Sequence, residues 1–242
     1  DVCSSDLLIG IFACYCEKFL TKIIPGILRT VLVGAGTMIL TYIAGVVVLG
    51  PLGDLVGGIV VKFFLWASAT FGPVAIALLA SAMPWLVMTG MHHAVTPFMV
   101  QAFADPGYDV FFRPSYILHN MAEGGACLGV ALRTKNPEFR AECLSLAFGC
   151  IVAGVTEPAL YGVNLPLKRP MLGIMAGTAV GGIIAGVLGA TAYVYGYSTI
   201  LALPIFQQTM WAMAIAIVAA IVVSALVTAA LGFEDRPVKA QK

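Results

Sequence analysis

The stretches MLGIMAGTAVGGIIAGVLGA, residues 171–190, and QTMWAMAIAIVAAIVVSALVTAAL, residues 208–231, contain no Asp, Glu, Lys or Arg. Each is about as long as the roughly 20 apolar residues that an α-helix needs to cross a bilayer. Both belong to the charge-free window 170–233, and residues 30–53 and 63–104 form two further windows. We predict two to three spans in the window 170–233, one span in 30–53 and two spans in 63–104.

The composition of the whole chain agrees with this pattern. Hydrophobic residues make up 60% of the 242 residues and charged residues only 10%, whereas about 25% of residues in soluble domains are charged. The sequence therefore predicts an all-α polytopic membrane protein. The formal net charge of +1 indicates no nucleic-acid partner.

Basic residues predict the orientation of the chain. Lys168 and Arg169 are separated from the basic tail, residues 234–242, by the two spans quoted above. An even number of crossings places both groups on the same side, and the positive-inside rule makes that side cytoplasmic. The basic loop RTKNPEFR, residues 133–140, is expected to share it.

Glycine spacing predicts where helices approach closely. Small residues repeated every four positions let helices pack tightly in lipid, and we expect packing here rather than substrate contact. Two such series occur in the first stretch quoted above: Gly173, Gly177 and Gly181, and Gly182 and Gly186.

One carboxylate stands apart, in the motif GVTEP, residues 154–158. The fourteen residues before Glu157 carry no Asp, Glu, Lys or Arg, and the following Pro158 disfavours helical geometry at Glu157. An ionisable group at a helix break inside a membrane marks a functional site, because burying it is costly unless it is paired or neutral. We interpret Glu157 as a buried functional carboxylate. The alternative is a structural salt bridge with Arg113 or Lys168.

Other polar residues in apolar surroundings allow two interpretations each. His92 could bond a hydroxyl or offset the charge of a phosphate, or it could cap a helix, with His93 as its packing neighbour. Asn164 could bind sugar hydroxyls or satisfy a broken backbone. Lys168 could meet a phosphate or anchor the topology.

The segment 113–123 carries Ser115, His119 and Glu123 at four-residue steps, which places them on one helix face. We interpret this segment first as an amphipathic helix, and alternatively as one wall of a substrate site.

Absent motifs limit the chemistry. The chain has no G-x-x-x-x-G-K-[ST] phosphate loop, no H-E-x-x-H helix and no G-x-S-x-G turn. Cys127, Cys143 and Cys150 lie in apolar context, and we interpret them as packing residues. No metal or cofactor is expected, so any phosphoryl group must come from a partner.

Three stretches carry a family resemblance: GMHH at residues 90–93, GYD at residues 107–109, and GVTEPALYGVNLPLKRP at residues 154–170. Together they closely resemble enzyme IIC, the membrane subunit of the bacterial sugar phosphotransferase system, in its glucose/glucoside superfamily. The continuation ALYGVNLPLKRP is most similar to β-glucoside permeases, and sucrose and trehalose relatives share much of it. The resemblance runs from about residue 15 to residue 233.

The resemblance implies a transmembrane helix bundle in the bacterial cell (inner) membrane, in contact with lipid and forming a homodimer. Broken or re-entrant segments around residues 94–106 and 153–166 would form the sugar site. The implied function is import of a β-glucoside or related glucoside, whose 6-hydroxyl takes a phosphoryl group from the phosphocysteine of a IIB domain. The chain would thus act as the membrane part of a sugar phosphotransferase, with IIA and IIB partners either fused or separate.

The resemblance also assigns roles to residues. The glutamate and histidine of the family motifs correspond to Glu157, as the base or hydroxyl-orienting group, and to His92, as the hydrogen-bonding or charge-offsetting group. His93 stands where some β-glucoside members carry an aromatic residue. Further residues are expected to bind substrate: Thr156, His93, Asn164, Lys168 and Arg113.

Residues 1–7, DVCSSDL, are interpreted as a non-native artefact, residues 8–233 as the C-terminal part of the enzyme IIC membrane domain, and residues 234–242 as the start of a cytoplasmic linker. Two other functions stay open from the residues alone. An ion-coupled secondary transporter would also use a carboxylate and broken helices but would deliver free sugar. A non-catalytic membrane sensor would bind sugar without importing it.

Overall fold

The computed structural model describes residues 6–25, 29–49, 51, 59, 62–63, 66, 70–104 and 106–235. The predicted all-α class is confirmed for these residues, which are helical apart from turns, connecting loops and one antiparallel bridge between Asp109 and Ala192. The chain divides into two compact units, each described here by itself. The first comprises Asp1–Phe63 with Trp85–Phe98, and the second comprises Phe64–Pro84 with Met99–Lys242.

Eight α-helices of nine residues or more are found among the described residues: α1 (Asp6–Ile23), α2 (Arg29–Ala44), α3 (Pro73–Met88), α4 (Thr96–Ala104), α5 (Phe112–Arg133), α6 (Pro137–Phe148), α7 (Arg169–Val187) and α8 (Met210–Leu231). Shorter helical segments adjoin them: the π-helical turns Gly45–Leu49, Gly149–Ala153 and Leu160–Asn164, the 3-10 segments Met91–Val95 and Ile200–Thr209, and the single turns Glu157–Ala159 and Leu165–Leu167.

Two helical stretches of the described chain are long and apolar enough to cross a bilayer. They are α7 and the stretch Ile200–Leu231, which joins a 3-10 segment to α8, and they match the two spans predicted at 171–190 and 208–231. The described residues of window 63–104 do not form the two full-length spans predicted there. In that window α3 has 16 residues and α4 has 9, fewer than the roughly 20 that a span needs.

Glycines allow the helices of the second unit to pack backbone against backbone. α7 lies against both α5 and α8. A Cβ placed on Gly177 would lie 2.5 Å from the carbonyl oxygen of Ala220, and one on Gly182 would lie 2.5 Å from the Cα of Ala77 in α3. No side chain fits at these distances, so the predicted packing role is confirmed. A Cβ on each of the other glycines of the two series would also lie less than 3.0 Å from a neighbouring atom: Gly173, Gly181 and Gly186.

Two arginines bring helix ends together in the second unit. Arg169, at the start of α7, donates from Nη1 to the carbonyl oxygen of Leu231 at 2.6 Å. Arg133, at the end of α5, donates to the carbonyl oxygen of Ala229. The start of α7 therefore lies beside the ends of α5 and α8, while the predicted orientation in the membrane stays a prediction. Residues 236–242 of the basic tail lie outside the described part of the chain.

Candidate functional site

The GVTEP motif forms a sharp turn between the π-helical turn that follows α6 and the short helix Glu157–Ala159. Gly154 has a φ of 76°, in the left-handed region that favours glycine. The predicted break is present, but it precedes Glu157, which is the first residue of the short helix and has an exposed side chain. The expectation that Glu157 is non-helical and buried is therefore wrong. A proline is compatible with the first helical turn, where no intrahelical N–H bond is needed.

The structure does not contain the salt bridge considered as an alternative role for Glu157. Among the described residues, no basic side chain pairs with its carboxylate. Arg113 is buried and donates instead to the carbonyl oxygen of Gly196 and, at 2.5 Å, to Oγ of Ser198. Lys168 is exposed just before α7, and its φ of 61° is unusual for a residue with a side chain.

Asn120 of α5 joins the GVTEP turn to the loop between α7 and the 3-10 segment that precedes α8. Its Nδ2 donates to the carbonyl oxygen of Gly154 at 3.2 Å and to that of Ser198 at 2.8 Å. The turn and the loop also touch directly, because a Cβ on Gly154 would lie 2.7 Å from Cγ2 of Thr199. Sequence reasoning did not select Asn120. The available signal was that it follows Arg113 by seven residues and so lies on the same helix face.

Asp109, the last residue of the GYD motif, organises the start of α5. Its carboxylate accepts hydrogen bonds from the backbone N–H groups of Phe111, Phe112 and Arg113 at 2.8, 2.9 and 2.6 Å. Its own backbone forms the bridge to Ala192, with both N–H···O distances 2.8 Å. Burial raises the pKa of the Asp109 carboxyl, and the three backbone donors and the Arg113 charge partly offset this. Asp109 therefore caps α5 and anchors the loop that follows α7.

A buried polar cluster lies inside the second unit. Ser115, His119 and Glu123 share one face of α5 as predicted, but that face is buried, so the helix is not amphipathic there. Nε2 of His119 lies 3.6 Å from Oε1 of Glu123. Within the described structure, the two carboxylate oxygens of Glu123 accept no hydrogen bond, and Nδ2 of Asn164 donates none. Sγ of Cys127 donates to Oδ1 of Asn164 at 3.7 Å, so the predicted sugar ligand Asn164 packs against α5.

The two predicted site histidines lie in the first unit, on the 3-10 segment Met91–Val95. The ring centroids of His92 and His93 are 3.9 Å apart and their planes are inclined by 43°, which confirms His93 as the packing neighbour of His92. The remaining predicted site residues all belong to the second unit: Arg113, Thr156, Glu157, Asn164 and Lys168. A sugar site shared by the two groups stays a prediction.

Three cysteines lie in the core of the second unit. Cys127, Cys143 and Cys150 pack in a hydrophobic cluster with Val130 and Phe139, so their predicted packing role is confirmed. In the part of the chain that the structure describes, no group of three His, Cys, Asp or Glu side chains could hold a metal ion.

Comparison with known proteins gives consistent matches. Residues 6–178 match the family model described as "Phosphotransferase system, EIIC". The arbutin-, cellobiose-, and salicin-specific EIIBC component of Escherichia coli (strain K12) is 32% identical, over 93% of this chain and 47% of that protein. The beta-glucoside-specific EIIBCA component of Bacillus subtilis (strain 168) is 32% identical, over 93% of this chain and 37% of that protein.

A third relative, the trehalose-specific EIIBC component of Escherichia coli (strain K12), is 30% identical, over 91% of this chain and 48% of that protein. The chain thus spans about half or less of the length of these relatives. No solved structure matches it significantly.

Proposed function

Because the chain belongs to the EIIC family of the phosphotransferase system, whose members are integral membrane domains, we propose that it forms part of a permease that phosphorylates a sugar during import. The relatives named as EIIBC and EIIBCA components support a IIB domain as the phosphoryl donor and a IIA domain behind it. Two of them are named for arbutin, cellobiose and salicin or for β-glucosides, which supports a β-glucoside as the cargo.

The proposed architecture is a helix bundle in the cell membrane, assembled as a homodimer. Residues 8–233 form the C-terminal part of the membrane domain, and residues 234–242 begin a cytoplasmic linker. The cluster of Arg133 and Arg169 at one end of the second unit supports a cytoplasmic position for that end, since basic residues concentrate on the cytoplasmic side.

The single observation that carries the proposal is the exposed carboxylate of Glu157 on the turn of the family motif. The 6-hydroxyl oxygen of the sugar attacks phosphorus, and a P–O bond forms while the P–S bond to the donor cysteine breaks. The hydroxyl proton passes to the carboxylate of Glu157, and the donor leaves as a thiolate. Because this chemistry depends mainly on positioning, the rigid support of the turn is part of the proposed mechanism.

The other residues contribute to sugar binding in this proposal. His92 hydrogen-bonds the sugar or offsets the charge of the phosphoryl group, with His93 beside it. Asn164 and Arg113 are buried and already hold neighbouring segments, which favours a role in the wall of the site over direct contact. Thr156, the residue before Glu157, and Lys168 complete the proposed set.

The test uses membrane vesicles that contain the complete permease with its IIA and IIB domains, supplied with phosphoenolpyruvate and the soluble phosphotransferase components. A labelled β-glucoside should appear inside as its 6-phosphate. Glu157→Gln should lower the phosphorylation rate about 100-fold or more, since a general base contributes about 10²–10⁴-fold. The matched control is Glu142→Gln, which changes an exposed carboxylate of α6 and should keep the wild-type rate.

Each contrary outcome has a distinct meaning. Labelled free sugar inside wild-type vesicles would indicate an ion-coupled secondary transporter, and binding without uptake would indicate a sensor. A wild-type phosphorylation rate in Glu157→Gln, at equal amounts of protein in the membrane, would contradict the role of Glu157. If β-glucosides are not taken up, labelled sucrose and trehalose test the related specificities.

A further inference from the structure

The position of Glu157 depends on the turn that precedes it. Gly154 adopts a left-handed conformation, and both Gly154 and Val155 donate their N–H groups to the carbonyl oxygen of Gly149, Val155 at 3.2 Å. Thr156, next to Glu157, is buried. Since a glycine turn is intrinsically free to adopt other conformations, contacts with distant parts of the chain restrict it further.

Asn120 supplies such contacts with both hydrogens of one amide. Its two acceptors, the carbonyl oxygens of Gly154 and Ser198, lie 34 and 78 residues away in the sequence. The Asn120 side chain is 7% exposed, so water does not readily replace it. Both acceptor carbonyls belong to half-buried residues, and a partly buried carbonyl that loses a donor is destabilised, so this amide constrains both segments.

The loop that shares Asn120 is itself fixed to α5. Asp109 pairs with Ala192 through the backbone, and Arg113 donates to Gly196 and Ser198. The face of α5 that carries Arg113 and Asn120 therefore holds this loop, and through it supports the turn before Glu157.

We propose that Asn120 is a positioning residue that fixes the GVTEP turn and thereby aims the carboxylate of Glu157 at the reacting sugar hydroxyl. This inference rests on the proposed function for its effect on sugar phosphorylation, but its effect on the turn is independent of the sugar. Asn120 contacts the backbone of the turn and not the reacting atoms, so it acts through Glu157.

The test compares Asn120→Asp with Asn136→Asp in the complete permease. The first substitution keeps the size of the side chain but removes both N–H donors, and the new carboxylate oxygens would face two carbonyl oxygens. Asn136 caps α6 by accepting hydrogen bonds from Glu138 and Phe139 at 3.0 and 3.2 Å, and aspartate can replace it as an acceptor. The control variant should therefore behave as the wild type. If Asn120→Asp does not accumulate in the membrane, Asn120→Ser, which keeps one donor, takes its place.

Three quantities are measured: backbone hydrogen exchange in residues 149–160, the dissociation constant of the sugar without phosphoenolpyruvate, and kcat for phosphorylation. Asn120→Asp should speed exchange in residues 149–160 while leaving exchange in α7 unchanged. It should lower kcat by about 100-fold, the loss expected for a misplacement of about 1 Å, and change the sugar dissociation constant by less than about 10-fold.

Unchanged exchange in residues 149–160 would overturn the inference whatever the sugar chemistry. Equal losses of kcat and sugar affinity, in proportion to lost stability, would also overturn it, because they indicate a general structural role. A wild-type permease that makes no sugar phosphate would instead refute the proposed function, while the exchange result would still decide whether Asn120 holds the turn.

Discussion

Replacing Gly154 by alanine tests the contact between the GVTEP turn and the loop after α7. An alanine there must adopt a φ of 76°, and the left-handed conformation costs about 1–2 kcal/mol. Its Cβ would also lie 2.7 Å from Cγ2 of Thr199 and 3.2 Å from the carbonyl oxygen of Ser198. Ordinary contact between carbon atoms begins at about 3.5 Å, so the turn or the loop must move by roughly 1 Å.

Any movement of the loop away from the turn would cost stability, because the loop is packed and hydrogen-bonded. Thr199 is 6% exposed, and the carbonyl oxygen of Ser198 accepts the hydrogen bond from Asn120 at 2.8 Å. Forcing extra volume into such a site costs about 1–3 kcal/mol. Together with the conformational cost, Gly154→Ala should lower the free energy of unfolding by about 2–5 kcal/mol.

Gly189→Ala is the matched control. Gly189 has a φ of 69°, but no atom lies within 4 Å of the position of its Cβ. It should therefore show only the conformational cost of about 1–2 kcal/mol. The free energies of unfolding of both variants of the complete permease are compared in detergent micelles, and sugar phosphorylation is measured in vesicles. Gly154→Ala should also lose about 100-fold in phosphorylation rate, whereas Gly189→Ala should not. Equal destabilisation of the two variants would refute the packing of the turn against the loop.

Two predictions concern the core of the second unit. Gly177→Ala places a Cβ 2.5 Å from a backbone oxygen of α8 and should destabilise the protein by about 1–3 kcal/mol. Gly34→Ala in α2, with no atom within 4 Å, should instead gain up to about 1 kcal/mol of helix propensity. Unfolding titrations that rank the two variants in the opposite order would contradict this packing. His119→Ala removes the imidazole that lies 3.6 Å from the buried carboxyl group of Glu123 and should cost about 1–3 kcal/mol, as expected when a buried polar group loses its polar neighbour. Most of that cost should vanish in a Glu123→Gln background, and strictly additive effects in the double-mutant cycle would exclude the pairing.

Several features of this protein followed from the sequence because their causes are local. The length of the apolar stretches 171–190 and 208–231 predicts spans, and the four-residue spacing of Gly173, Gly177 and Gly181 predicts close helix packing. Each pattern determines a property of a single helix or of one helix pair, so it can be read from neighbouring residues in the sequence. The GVTEP motif likewise predicted the break in the helix, because glycine frees the backbone and proline restricts it wherever they occur.

The tertiary structure decided what depends on distant contacts. Glu157 begins a short helix and is exposed because the chain turns at Gly154, and the face of α5 that carries His119 and Glu123 is buried because other helices cover it. The sequence could place Asn120 on the helix face of Arg113 but not against the turn, since the partners of Asn120 are 34 and 78 residues away. The sequence by itself determined a membrane protein of the EIIC family and predicted a functional carboxylate at a helix break. Only the folded chain brought together the α5 face, the loop and the turn, because hydrogen bonds between distant segments exist only once the helices have packed.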